Sequence, residues 1–254
     1  MVIQVVARSV EVERGRMTQQ QALGTLANCE LVKGLPEDDI EALERRCTWR
    51  RFKNGEQVLD RNSDARDVLF VVEGQVQIVN YSASGREIAY ATVRQGGYFG
   101  ELAAIDGEPR SASAVAQGAC VLAQIAPSVF LDFVATHPAV AQRVMARLAR
   151  IVRTCDERIM DLSTLGAVQR VYLELLRLAE EDPVTPGSFV IYPMPTQSNI
   201  AARASTTRET VARVISGLAQ EELVRKKGKS LYIRERDSLA IRAEKMSPND
   251  STAR

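Results

Sequence analysis

The chain has 254 residues, 45% hydrophobic and 26% charged, enough apolar mass to fill a core without metal or disulfide staples. No run approaches the ~20 apolar residues of a membrane helix, and the N-terminus has acids early and no sustained apolar stretch. Neither membrane insertion nor a signal peptide is therefore expected, and the location expected is the cytoplasm. The net charge of +1 hides an uneven distribution: Thr196 to Arg236 carries nine Lys and Arg against four acids, a basic module on an acidic body, as a phosphate-binding surface would need.

In chain order, residues 1–25 read as a loose polar leader, and Glu37 to Arg46 as a short amphipathic helix entered after Pro36. From about Trp49 to Val134, short β-rich runs alternate with turn residues. Val68 to Val72 ends at Glu73-Gly74. Val76 to Tyr81 leads to the turn Ser82-Ala83-Ser84-Gly85, and Glu87 to Val93 leads to Gly96-Gly97. Val115 and then Cys120 to Ile125 give two more strands. The spacing predicts an all-β barrel or roll over 26–137. From Pro138 to Leu165 the period becomes helical, with Val140, Val144, Leu148, Ile151, Cys155, Ile159 and Leu162 on one stripe. A long helix with a narrow stripe favours a symmetric coiled-coil dimer, hence a homodimer. Ala167 to Glu181 is a further helix, ended by Asp182-Pro183. A strand at Phe189 to Tyr192, a helix–turn–helix from Thr196 to Gln220 and a hairpin through Lys227-Gly228 complete a module over 166–238. Residues 239–254 read as a charged tail.

The densest local pattern is Phe99 to Ser113, F-G-E-L-A-A-I-D-G-E-P-R-S-A-S. Gly100 lets backbone approach a ligand closely. Leu102 to Ile105 can form one helical turn whose free N–H groups suit an anion. Arg110 supplies a planar cationic fork, and Ser111 a hydroxyl beside it. The acid Glu101 in such a place calls for a ribose hydroxyl, so the constellation asks for one ligand with both a phosphate and a ribose. The stretch resembles the phosphate-binding cassette of cyclic-nucleotide-binding domains. By that resemblance Gly100, Glu101, Leu102, Ala103, Arg110, Ser111 and Ala112 hold cAMP or cGMP. Glu101 would take the ribose 2′-hydroxyl and Arg110 the exocyclic phosphate oxygen. Ser111 and the N–H groups near Leu102 and Ala103 would complete the cradle. Two hydroxyl residues of the family that meet the adenine amino group fall here on Cys155 and Asp156, with Thr154 just before. Asp156 can accept from adenine or from guanine, so both nucleotides are expected to bind.

Thr207 to Val214 reads T-R-E-T-V-A-R-V. Val211, Val214, Ile215 and Leu218 face a partner helix, and Arg208, Glu209 and Arg213 lie near the other side. Arg suits guanine O6 and N7, and Glu accepts from cytosine N4. The arrangement is similar to the winged helix–turn–helix of the Crp/Fnr family of transcription regulators, and the likeness covers roughly residues 30 to 235. It implies an α+β chain with an N-terminal β-roll (a jelly-roll-like double-stranded β-helix), a long dimerisation helix and a C-terminal DNA-binding domain. It further implies that Thr207, Arg208, Glu209, Thr210 and Arg213 meet a palindromic TGTGA-N6-TCACA-like site. Thr196, Gln197 and Lys229 would touch the backbone, which positions rather than specifies, and RNA polymerase would be the partner in activation. At the turn, a position often filled by glycine is Ser205.

The four cysteines, Cys29, Cys47, Cys120 and Cys155, lack metal-site spacing, and His137 is the single histidine. No metal, haem or iron–sulfur cluster is expected, nor an enzyme, since no nucleophile–base pair or Walker loop is evident. The alternative reading is a regulator of the same fold that needs no nucleotide or answers another effector.

Overall fold

In the computed structural model, which describes residues 24–82, 85 and 87–245, the first elements are α1 (Glu37–Glu44), β1 (Thr48–Phe52), β2 (Gln57–Leu59), β3 (Val68–Tyr81), β4 (Glu87–Arg94) and β5 (Tyr98–Phe99). They are followed by α2 (Glu101–Asp106), β6 (Ser113–Ile125), α3 (Pro127–Thr136) and α4 (Pro138–Thr164). The described residues divide into two compact units. Those up to Asn80, with Tyr90–Ala149, form one; Tyr81–Ala89 and the residues from Arg150 onward form the other.

The first unit is built on a sheet of order β1-β6-β3-β4, with β2 on β6 and β5 on β3. Strand β3 does not stop at Glu73-Gly74 as the sequence suggests. Its register on β6 shifts around Glu73 and Gln75, and it continues. The extra residue reverses which parity faces inward. Leu69 and Val71 before the irregularity and Val76 after it enter the same core, with Phe52, Phe99 and Leu122. Gly74 is required there: its φ is +81°, and a Cβ would strike the Ala119 carbonyl. The opposite face of β3, Val68 and Phe70, packs with Leu26, Leu31, Ile125, Phe130 and Val140.

Helix α3 departs from the sequence reading, which runs β-rich structure to Val134. Pro127 at its first turn pre-sets the helix, and Val129, Phe130 and Phe133 bury one face. Helix α4 runs unbroken for 27 residues. Its expected single stripe divides in two. Val140 and Val144 are buried in their own core, and Arg143 Nη1 donates to the Leu31 carbonyl at 2.9 Å. The exposed apolar residues are instead Met145, Val152, Ile159, Met160 and Leu162, with Cys155 exposed among them.

The second unit contains α5 (Ala167–Leu178), β7 (Glu180–Glu181), β8 (Phe189–Ile191), α6 (Gln197–Arg203), α7 (Arg208–Gln220), β9 (Val224–Lys227), β10 (Ser230–Ile233) and α8 (Arg236–Lys245). Helix α5 stops short of the expected Glu181: Ala179 is extended, and Glu180 and Glu181 pair with β8. The hairpin β9–β10 joins β8 and β7 in a sheet of order β7-β8-β10-β9. Val171, Leu175, Ile200, Val211, Leu218 and Leu231 fill the core.

The expected tail from residue 239 is corrected by α8. Leu239 and Ala243, one helical turn apart, are buried in that core, and the Ala243 carbonyl accepts from Gln169 Nε2 at 2.9 Å. Residues 1–23 of the leader and 246–254 of the tail lie outside the described residues.

Candidate cyclic-nucleotide and nucleic-acid sites

Strand β5 delivers the chain to Gly100, which takes the left-handed conformation (φ 89°) and starts α2. Arg110 turns back onto this point. Its Nη1 donates to the Gly100 carbonyl at 3.0 Å and its Nη2 to the Asp67 carbonyl at 2.8 Å. A Cβ on residue 100 would come within 2.7 Å of both Arg110 Nη1 and the Asp67 carbonyl. Arg110 is 4% exposed, and its Nε has no hydrogen-bond partner among the described residues. Burial pushes its pKa down, while the charges of Asp67 and Glu101 oppose that shift. A buried guanidinium with an unused donor is costly on its own, and an anionic ligand would relieve it.

Glu101, also 4% exposed, opens α2. Its Oε1 accepts from Arg147 Nε at 3.2 Å. Arg147 Nη2 donates to the Tyr98 carbonyl at 2.6 Å, and its guanidinium lies 4.4 Å from the centre of the Tyr98 ring. Ala103 and Ala112 are buried, and Ser111 is exposed. The structure thus gathers a buried acid and a buried guanidinium about one glycine turn, which suits a ribose phosphate. Sequence reasoning missed Arg147 and the Asp67 carbonyl. Arg147 gave no signal beyond lying off the apolar stripe, and a backbone carbonyl gives none. Thr154, Cys155 and Asp156 are exposed on the part of α4 that belongs to the second unit.

In the second unit, α6 and α7 are each opened by a threonine. The Thr196 hydroxyl accepts from the Asn199 N–H and that of Thr207 from the Thr210 N–H, both at 3.2 Å. Two residues expected at DNA are therefore also N-caps, which satisfy donors a helix start leaves free. Between the helices Ser205 has φ 51°, the left-handed turn conformation expected at this position. Val211, Val214, Ile215 and Leu218 bury one face of α7, while Arg208, Glu209 and Arg213 are exposed on the rest, with Thr210 half-buried. The backbone N–H of Glu209 and the Thr207 hydroxyl, with Arg208 beside them, hold the Glu209 carboxyl below its usual pKa. It thus stays an acceptor. Gln197 is half-buried in the first turn of α6. At the hairpin tip Lys227 pairs with Ser230 across Gly228, and Arg225, Lys226, Lys227 and Lys229 are exposed.

Among the described residues there is no group of three or more His, Cys, Asp or Glu able to hold a metal ion, and no helix long and apolar enough to cross a membrane.

Residues 49–137 match the family model of the cyclic nucleotide-binding domain, and residues 169–241 that of the Crp-like helix-turn-helix domain. The chain is 25% identical over 206 residues to the cAMP-activated global transcriptional regulator CRP of Escherichia coli O157:H7, covering 80% of this chain and 98% of that protein. It is 29% identical over 205 residues to the cyclic AMP receptor protein of Thermus thermophilus, covering 81% and 92%. Among solved structures, a CRP/FNR-family transcriptional regulator, also from Thermus thermophilus, superposes with a TM-score of 0.56 at 26% identity, covering 78% of this chain and 98% of that one. With both domains in the same order, and with nearly the full length of these relatives spanned, the chain belongs to the Crp/Fnr family of transcription regulators, in the group that carries a cyclic-nucleotide-binding domain.

Proposed function

We propose that this protein is a cytoplasmic transcription activator in which cAMP or cGMP, bound in the β-roll, fits a homodimer to a palindromic TGTGA-N6-TCACA-like site. The observation that carries the reading is the pair of buried, opposite charges at Gly100, with the unpaired Nε of Arg110. Arg110 would take the cyclic phosphate, with Ser111 and the N–H groups at Leu102 and Ala103. Glu101 would take the ribose hydroxyl, held in place by Arg147. Thr154, Cys155 and Asp156 would meet the base, and the acceptor at Asp156 would admit guanine as well as adenine.

The dimer would form along α4. Met145, Leu148, Val152, Cys155, Ile159 and Leu162 recur at alternating steps of three and four. Met145, Val152 and Ile159 alternate with Leu148, Cys155 and Leu162 along this seam, close to the alternation of β-branched residues with Leu that favours two parallel strands. Exposure of five of the six supports a second copy as their cover. Arg208, Glu209 and Arg213 would read the half-site, and Thr196, Gln197 and Lys229 would hold phosphates. RNA polymerase would be met through the loop at 181–188.

The test is fluorescence anisotropy of a labelled TGTGA-N6-TCACA duplex at fixed salt, since phosphate contacts make each affinity salt-dependent. It is read without nucleotide, with cAMP and with cGMP, beside a scrambled duplex. Tight binding to the palindrome that requires a nucleotide is the expected result. Equal binding in all conditions would sink the switch.

A further inference from the structure

The carbonyls that close α6 are held by arginines from other elements. One nitrogen of Arg158, Nη2, donates to the Arg203 carbonyl at 2.9 Å and to the Ala89 carbonyl at 2.7 Å. Arg170 takes the next two: its Nε donates to the Ala204 carbonyl at 2.9 Å and its Nη2 to the Ser205 carbonyl at 3.2 Å. Its Nη1 donates to the Leu165 carbonyl at 2.6 Å. Arg203 itself pairs with the buried carboxylate of Glu174 at 3.0 Å. Carbonyls 203 to 205 lie where a helix runs out of internal donors and where its dipole is negative, so cations are favoured there.

These arginines do not do the same job. Arg170 and the Arg203–Glu174 pair fasten the turn to α5, its neighbour in the core. Arg158 belongs to α4, six residues before the helix ends at Thr164. Its reach to the Arg203 carbonyl depends on those last two turns being helical. The same nitrogen also holds the first half of β4. One side chain therefore joins the end of α4, the Ala89 carbonyl and the turn that leads into α7.

We propose that Arg158 is a positioning residue for DNA reading: it fixes the α6–α7 turn to the formed end of α4 and so favours the arrangement that binds DNA. The inference rests on the proposed nucleotide switch and adds the residue through which it acts on α7.

The test uses the full chain as wild type, Arg158→Ala and Arg158→Lys. Anisotropy on the palindrome is read with and without the nucleotide to which the wild type responds. Calorimetry gives nucleotide affinity without DNA, and hydrogen exchange is followed at residues 203–207. With nucleotide saturating, Arg158→Ala should lose about tenfold in DNA affinity while its unliganded binding stays unchanged, so the nucleotide-induced gain shrinks by that factor. By linkage, nucleotide affinity in the presence of DNA should fall equally. Exchange at 203–207 should quicken in the loaded variant. Lysine should recover part of the gain, since an ammonium can donate to a carbonyl but lacks the planar fork.

An unchanged gain in Arg158→Ala overturns the proposal. So does an equal loss with and without nucleotide, which marks a purely structural contact, and so does tighter unliganded binding, which marks a restraint. A wild type with no nucleotide-induced gain overturns the switch itself and this inference with it, a failure visible before any variant is compared.

Discussion

Gly100 shows how much can depend on one missing methyl group. Its left-handed backbone and the close approach of Arg110 and the Asp67 carbonyl both require glycine. Gly100→Ala should cost about 1–2 kcal/mol of stability in denaturant unfolding. By displacing Arg110 it should also weaken cAMP binding about tenfold or more in calorimetry. Two thiols give a second residue-level expectation. Burial pushes Cys29 up to about 12, with Glu44 and Glu30 adding to the shift. Burial likewise raises Cys47 to about 12, helped by Glu44 and Cys29. An unfolded chain can ionise these thiols from about pH 9, whereas the folded one keeps them protonated. Their contribution to stability is thus complete below pH 9 and is lost as pH rises toward 12. A series of urea midpoints from pH 7 to 11 should fall above pH 9. The fall should be smaller in a Cys29→Ala, Cys47→Ala double variant.

At the scale of elements, α4 and α8 are the informative cases. On α4, Ile159→Asp places a charge in the middle of the proposed seam. It should shift the protein from dimer to monomer in sedimentation, with little change in helix content. On α8, Leu239 is fully buried, so Leu239→Ala should cost about 2–5 kcal/mol in chemical denaturation. A true tail would lose nothing. The α8 helix was hard to read because half of its sequence, R-D-S-L-A-I-R-A-E-K, is charged. Its burial depends on a core supplied by α5. Helix α3 posed the opposite difficulty: V-F-L-D-F-V is apolar enough for strand or helix, and only tertiary packing decides. The bulge at Gly74 looked like a turn because both use a glycine with positive φ. By contrast, the helix–turn–helix, its hairpin and the strained turn at Ser205 were legible, since caps, period and turn chemistry agreed there.

Across the whole molecule, the cassette was legible because its members are neighbours in sequence. Arg147 was not, because it reaches Glu101 from 46 residues away. Contacts of that kind leave no local pattern. The coupling between ligand and DNA is a property at this scale, and Asp156 tests it. Asp156→Ala should reduce the nucleotide-induced gain in DNA affinity several-fold while leaving unliganded binding little changed, as read by anisotropy with both nucleotides. An equal loss in both states would remove Asp156 from the switch.

Helix α4 serves two masters: Val140 and Val144 belong to one core, and the face from Met145 to Leu162 points elsewhere. Each residue advances a helix by about 100°. Deleting one residue between Val144 and Val152 would turn the later face away while the earlier one stayed fixed. Length change in this lineage is therefore restricted to steps near seven residues, about 10 Å of helix. Related genes should differ here by whole heptads or not at all.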